Sequence, residues 1–353
     1  MRRTPALIVG GGPAGAAAAI TLAAAGQRPL LLERTRERHD LVCGGFLSAD
    51  TLAVLAYLGI DALALGGQPI AKLRVIAGDA DVTVDLPFAA AGLSRRTLDA
   101  ALLARAAALG AGIERGCSVR SVEGRCATLA DGGAIDAEAL LLATGKHELR
   151  GIQRAAPMGD DPPVGLRVSV SGPAIDGAIE LYLFERGYAG MLRQEDGTVN
   201  LCLSVARSRL TDGPDALLAA LGCEVPSLGD RLGEVTAYGA WSSVARIPYG
   251  WRAMQSAPGL YRVGDQAAVI ASVVGDGVAI ALTSGRAAAD ALLEGDAAFQ
   301  QRFARMARRP LRIAGGLRWF AERPGLAALL LPALGRHPGL LRAAMRATRI
   351  GGY

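Results

Sequence analysis

The sequence predicts an α/β fold with an inserted antiparallel sheet and a helical C-terminal cap, and three observations predict it. First, a strand, a glycine turn, a helix and a second strand follow one another within residues 6–33. Second, from residue 162 to about 247 the pattern changes to short alternating apolar and polar runs, the period of antiparallel strands. Third, residues 297–350 read as basic helices punctuated by Pro310, Pro324, Pro332 and Pro338.

The elements follow in order. Residues 6–9 form an apolar strand ending in Gly10-Gly11-Gly12, residues 14–25 a helix closed by Gly26, and residues 29–32 a second buried strand ending at Glu33-Arg34. This is β-α-β in about 30 residues. Residues 51–58 and 97–109 read as helices ended by Gly59 and Gly110, with a two-stranded ribbon, 73–77 and 82–86, between them. Residues 113–122, 127–129 and 139–143 read as strands, as do 166–170, 178–184, 190–193 and 199–205. Asp196-Gly197 supplies a hairpin turn before the last of these. A short strand, 260–263, and a long Ala-rich helix, 277–293, complete the body. The predicted nucleotide domain is 1–70 plus 90–155 plus 248–296, the predicted substrate domain 71–89 plus 156–247, and the basic helical region 297–353.

Composition narrows the class. The chain is 51% apolar and 20% charged, which supports a folded core. The net charge of +5 is uneven: residues 301–353 hold eleven Arg and a single acid, Glu322, so the first 300 residues carry about −5. With only two lysines, Lys72 and Lys146, and no interleaving of basic and aromatic residues, nucleic-acid binding is not expected. Five scattered cysteines and three histidines offer neither a metal-ligand spacing nor a disulfide framework, so no metal site is expected. The chain opens straight into a strand without a secretory pattern, and no apolar stretch is long enough to span a bilayer, so a cytoplasmic placement is expected.

Glycine makes up 46 of the 353 residues. At that frequency a G-x-G-x-x-G spacing arises by chance roughly 0.8 times in such a chain, so the motif needs context. Gly10, Gly12 and Gly15, with Pro13 and Ala14 among them, have it: they end a strand and open a helix. The glycines allow a tight turn, backbone approach to a pyrophosphate, and close packing of helix on sheet. The helix N-terminus presents free N–H groups to phosphate. Glu33 ends the second strand, where it would bind ribose hydroxyls, with Arg34 beside it. An acid here favours FAD or NAD over NADP. Far downstream Gly264-Asp265 ends a strand, where Asp265 can hold a ribityl hydroxyl. Gly275, Gly277 and Val278 then open a helix whose N-terminus can face the pyrimidine edge of a flavin.

Gly10–Gly15, Glu33, Ser94-Arg95, Leu98-Asp99 and Gly264-Asp265 together resemble the FAD-dependent oxidoreductases of the geranylgeranyl reductase and para-hydroxybenzoate hydroxylase type, over about residues 5–295. The resemblance implies an FAD-binding Rossmann-like domain of the glutathione-reductase type with an inserted antiparallel substrate-binding sheet. It implies cofactor contacts for Arg95 and for Thr144-Gly145, where hydroxylases of the group typically carry Asp-Gly. Cys43-Gly44-Gly45 is similar to a reductase loop beside the flavin, which makes Cys43 a candidate proton donor and Phe46 a pocket residue. Residues 180–190 resemble the substrate-sheet segment and imply pocket roles for Tyr182 and Tyr188. Gly190 and Arg193 depart from the reductases, which typically carry Trp and Pro there.

The implied cofactor is FAD. The presence of one G-x-G-x-x-G makes NAD(P)H a transient electron donor rather than the tenant of its own domain. The sequence leans to NAD(P)H-driven hydroxylation of an aromatic or polyketide-like substrate. Reduction of a C=C bond in an isoprenoid or other lipid is the alternative, and a non-catalytic escort role a third. The expected ligand is a hydrophobic small molecule. Arg342, Arg346 and Arg349 at i, i+4 and i+7 suggest contact of the tail with an acidic carrier protein or an anionic membrane surface.

Overall fold

The computed structural model describes residues 1–156 and 159–350. Positions 157–158 of the predicted substrate domain and 351–353 of the predicted C-terminal region lie outside the described residues. The chain runs Arg2–Val9 (β1), Pro13–Ala24 (α1), Leu30–Glu33 (β2), Phe46–Leu47 (β3), Ala49–Tyr57 (α2), Gln68–Ala77 (β4), Ala80–Gly92 (β5) and Arg95–Ala108 (α3). It continues through Gly112–Arg115 (β6), Val119–Glu123 (β7), Cys126–Leu129 (β8), Ala134–Leu142 (β9), Pro163–Ser171 (β10), Ala178–Phe184 (β11), Gly187–Arg193 (β12) and Val199–Ala206 (β13). Pro214–Glu224 (α4), Pro226–Gly233 (α5), Ala237–Tyr238 (β14), Ser242–Val244 (β15), Leu260–Arg262 (β16) and Gly277–Glu294 (α6) follow. The cap is Phe299–Ala321 (α7), Pro324–Arg336 (α8) and Pro338–Ala347 (α9).

Two sheets organise these elements. The first has the order β6-β2-β1-β9-β8-β7, with β16 on β9. Its β6, β2, β1, β9 and β16 run parallel, so the strands Leu30–Glu33, Arg2–Val9 and Leu260–Arg262 all point their carboxyl ends to one edge. Ligands of open α/β sheets bind at that edge. Seven of the twelve residues of α1 are alanine, its buried face is apolar, and it packs with α3 and α6 in one core on Ile8, Leu31 and Leu141. Short side chains let three helices crowd together there.

The second sheet has the order β14-β10-β13-β12-β11-β4-β5-β3, with β15 on β10. It is antiparallel except where β11 runs parallel to β4. It also takes in Phe46–Leu47, which the sequence assigns to the nucleotide domain. Along β11 the alternation is strict: Glu180, Tyr182 and Phe184 face one side, and Ile179, Leu181 and Leu183 the other. The first side packs on α4 and α5 through Leu217, Leu221 and Leu228, and the second faces the cap.

Three expectations are corrected. The single strand expected over 113–122 is two, β6 and β7, because Gly116 takes a left-handed φ of +77° and turns the chain between them. α4 and α5 lie inside the region read as sheet only. Pro214 and Pro226 at their first helical turns were the available signal, since proline there gives up an N–H that has no partner anyway. Pro310 and Pro332 do not interrupt the cap: both lie inside helices. Around Pro310 the burial of Phe303, Ala307, Leu311 and Ala314 outweighs the one lost hydrogen bond. Among the described residues no helix is long and apolar enough to cross a membrane.

Candidate functional site

The carboxyl edge of the first sheet opens on a cavity of about 880 Å³. Its first wall is the turn between β1 and α1. Gly10 has φ +113°, and a Cβ there would lie 2.3 Å from the Ala143 carbonyl oxygen. A Cβ on Gly15 would lie 1.9 Å from the Gly10 carbonyl oxygen, so Gly15 is packed behind the turn and does not line the cavity. Gly12 caps α1 with no side chain, Pro13 follows at the first turn, and no acid occupies that turn. The helix therefore presents its positive end and free N–H groups to the cavity, the arrangement that receives phosphate.

Glu33 braces the turn. Its carboxylate accepts the Gly11 N–H at 2.8 Å, the Thr35 N–H at 2.8 Å and the Thr35 hydroxyl at 2.7 Å. Burial alone would raise this carboxyl, but these three bonds outweigh it and hold it below the ordinary range. Arg95 stands over Gly12 and pairs with Asp99 at 2.6 Å, so the guanidinium is fixed in direction. Arg34 donates to His147 Nε2 at 2.9 Å. Burial, then Arg34 and Lys146, push the His147 imidazole down, which favours its neutral form.

The opposite wall comes from β16 and α6. The Gly264 N–H donates to Ser284 Oγ at 2.7 Å, and Asp265 pairs with Lys146 Nζ at 3.1 Å. That charge raises the Lys146 ammonium against the opposing effect of burial. The Gln266 side-chain amide donates to the carbonyls of Gly145 and His147, both at 2.9 Å, and so fixes the Thr144-Gly145 turn. Gly275 has φ +69°, and a Cβ there would lie 2.7 Å from the Phe46 ring. Gly277 and Val278 begin α6 against the cavity.

The floor is the loop Cys43-Gly44-Gly45. Asn200 Nδ2 donates to the carbonyls of Cys43 at 2.9 Å and Gly44 at 2.7 Å. Arg167 Nε donates to Asn200 Oδ1 at 2.8 Å, and its guanidinium pairs with Asp40 at 3.1 Å. The second sheet thus grips the loop through a buried network. Sequence reasoning missed both Arg167 and Asp40. The alternation of β10 puts Arg167 with Gly165 and Ser169 on the face opposite the apolar Leu166 and Val168, and only the fold supplies its partner. Cys43 Sγ accepts the Gly45 N–H at 3.5 Å. Cys202 also lines the cavity, and burial pushes its thiol up to about 12.

A smaller cavity of about 180 Å³ adjoins, sharing Gly44, Phe46, Cys202, Ser272 and Gly275. Its walls are apolar, with Leu73, Val75, Leu181, Leu183 and Leu192 from the sheet and Phe320, Leu331 and Met345 from the cap. Tyr188 is the polar group facing it from β12. The Tyr188 hydroxyl meets Ser272 Oγ at 2.5 Å, and Ser272 Oγ meets the Tyr249 hydroxyl at 2.6 Å. Burial holds Tyr188 well above its ordinary value, so it stays protonated. Tyr182 is corrected: it lies on the other face of β11, fully buried under α4 and α5 with its hydroxyl on Glu180 at 2.5 Å. One strand position decides the face, and resemblance in sequence did not resolve it. Gly190 lines the smaller cavity, whereas Arg193 points away to Asp176.

The larger cavity runs from Glu33 past the phosphate-type turn to the Cys43–Gly45 loop and the N-terminus of α6. A dinucleotide with a flavin at one end fits this arrangement: backbone N–H groups are open where a pyrophosphate would lie, and glycines replace side chains where a flat ring would approach. Comparison with known proteins agrees. Residues 3–150 match the model of an FAD binding domain. A menaquinone reductase of Mycolicibacterium smegmatis is 26% identical over 316 residues, 83% of this chain and 77% of the relative. A probable FAD-dependent monooxygenase of Pseudomonas aeruginosa superposes with a TM-score of 0.75 at 18% identity, covering 94% of this chain and 100% of the other. A geranylgeranyl bacteriochlorophyll reductase-like protein of Thermoplasma acidophilum superposes with a TM-score of 0.72 at 20% identity, covering 99% and 96%.

Proposed function

We propose that this FAD-dependent oxidoreductase reduces a C=C bond of an extended apolar molecule whose reacting segment enters the smaller cavity. The observation that carries the reading is the chemistry of that cavity: leucine and valine walls abut the glycine loop at the flavin end of the larger one. The likeness to a menaquinone reductase supports it. Gly190, a departure from the reductase pattern, lines this cavity without a side chain, and Arg193 lies outside it.

FAD, when bound, supplies a reversible two-electron carrier. Glu33 and the Gly10–Gly12 turn would hold its adenosine and pyrophosphate, and Asp265 its ribityl chain. The Cys43–Gly45 loop and the N-terminus of α6 would flank its ring. NAD(P)H, bound only in passing, is the proposed source of a hydride, which carries two electrons and one hydrogen nucleus, and solvent supplies the one remaining proton. The Cys43 thiol is the proposed donor of the proton that reaches substrate carbon, and it regains a proton from water. The apolar walls exclude water from the substrate.

Hydroxylation is the second reading, and the Tyr188–Ser272–Tyr249 hydroxyl cluster favours it, since it would hold a phenolic oxygen. Tyr188 is a donor held protonated, however, and activation of a phenol calls for a group that accepts its proton.

Purified holoprotein should be incubated anaerobically with NADH or NADPH and an isoprenoid quinone in detergent, and the product weighed by mass spectrometry. Gain of two hydrogens that persists after the quinol is reoxidised in air is expected, with Cys43→Ser slowing turnover but keeping bound flavin. A product that gains one oxygen atom, formed only in air, would overturn the first reading in favour of the second.

A further inference from the structure

Among the described residues the outer face of the cap has no partner within the chain. α8 carries no charged side chain from Pro324 to Gly335. It buries Ala327 and Leu331 against the second sheet. Its opposite face repeats the apolar pattern at i, i+3, i+4 and i+7 with Leu326, Leu329, Leu330 and Ala333. Leu329 is 74% exposed and Leu330 41%. A helix apolar all round belongs in a core or against lipid, and α8 has a core on one side only. On the adjoining α9, Leu340 is 61% exposed. At the near end of α7, Trp319 is 53% exposed, with the Arg323 guanidinium 4.2 Å over its ring.

Charge identifies what covers this face. Arg323, Arg336 and Arg346 are exposed around it. Glu322, the single acid in residues 301–353, is taken by Arg318. Apolar side chains ringed by arginine, with an aromatic residue at the rim, match the boundary of an anionic bilayer, where acyl chains and phosphate lie a few ångströms apart. An acidic protein would satisfy the arginines and leave Leu329, Leu330 and Leu340 without a counterpart. An uncharged apolar partner would leave the arginines so. The inner faces of the same helices, through Leu331 and Met345, line the smaller cavity, so apolar surface continues from the outside of the cap to the interior.

We propose that α8 and α9 dock this protein on an anionic lipid surface, Leu329, Leu330 and Leu340 entering the acyl boundary while Arg323, Arg336 and Arg346 contact the headgroups. The helices lie along the surface rather than across it. Docking stands on the surface alone and does not depend on which bond the enzyme reduces or oxidises.

The test is cosedimentation of full-length holoprotein with vesicles of phosphatidylcholine alone or mixed with phosphatidylglycerol. Binding to the mixed vesicles is expected, weakening as salt rises. The double variant Leu329→Glu, Leu330→Glu should lose about tenfold or more in vesicle affinity while keeping its flavin spectrum and melting temperature. Leu340→Glu should do the same to a lesser degree, and Arg336→Gln with Arg346→Gln should leave weaker binding that responds less to salt. The proposal is overturned if wild-type protein stays in the supernatant with both vesicles, or if the glutamate variants sediment as wild type does. It is overturned equally if the arginines serve polyglutamate, as a stand-in for an acidic carrier, and not the vesicles, or if scattering shows the leucines buried in a dimer that takes up no lipid.

Discussion

Glu33 shows how one side chain can do two jobs. The sequence places it at a strand end as a ribose ligand. The structure adds that it already holds the Gly11 N–H, so it also sets the turn that receives pyrophosphate. Glu33→Gln keeps the shape but weakens acceptors that serve three donors. A charge-assisted hydrogen bond contributes about 1.5–3 kcal/mol, so FAD affinity should fall by roughly tenfold to a hundredfold, measured by flavin fluorescence on titration. The pH dependence has a definite sign. A carboxyl held below its ordinary range in the folded protein contributes fully above that range and loses its contribution as pH falls through the lowered value. Wild-type protein should therefore retain FAD through mildly acidic buffers and release it only below the ordinary carboxylate range, whereas Glu33→Gln should lack that acid step. At this scale the glycines and Glu33 were legible because their spacing carries their chemistry. Tyr182 was not, because a strand shows its register only when it is paired, and Arg167 was not, because its partners lie far away in sequence.

Among the elements, the contact that fixes the end of the cap is a buried ion pair. Arg349, just past α9, reaches Asp276 at the N-terminus of α6 at 2.7 Å, and Asp276 is fully buried with Ser48 Oγ donating to it at 2.8 Å. Nothing in the chain between these positions announces the pair, and it came only from the fold. Asp50 lies close by, and burial, then the charge of Asp276, push its carboxyl up. Arg349→Met would leave Asp276 buried opposite a second acid. Breaking one partner of a buried pair costs about 3–5 kcal/mol, so the melting temperature should fall by about 5 °C or more in calorimetry. Adding Asp276→Asn should recover part of the loss, since the orphaned charge goes with it. If Arg349→Met melts as wild type does, the pair is not what seats the cap. The helices α4 and α5 make the complementary point about legibility: their proline starts were visible, but the strands around them dominated the pattern.

Across the whole molecule, the larger cavity is built from both sheets. Glu33, Gly10–Gly12 and Asp265 belong to the first, and the Cys43–Gly45 loop is held by Asn200 of the second. The order of α/β body, inserted sheet and cap was legible because each has its own hydrophobic period. How the sheets meet was not, since it depends on contacts such as Arg167 with Asp40 that have no periodic signature. A ligand that spans both sheets stabilises the folded chain by an amount set by its concentration over its dissociation constant, about 2.7 kcal/mol at a hundredfold excess. Protein stripped of flavin should therefore melt several degrees below the holoprotein, and FAD should restore the difference. FMN carries the ring and one phosphate but no adenosine, so it leaves Glu33 and the far end of the Gly10–Gly12 turn unused. It should restore little of the shift at equal concentration, and Glu33→Gln should narrow the gap between FAD and FMN, because it weakens only the half of the site that FMN never reaches. Equal shifts from FAD and FMN in the wild-type protein would mean that the adenosine end of this cavity carries no binding energy, and the assignment of Glu33 would fall with it.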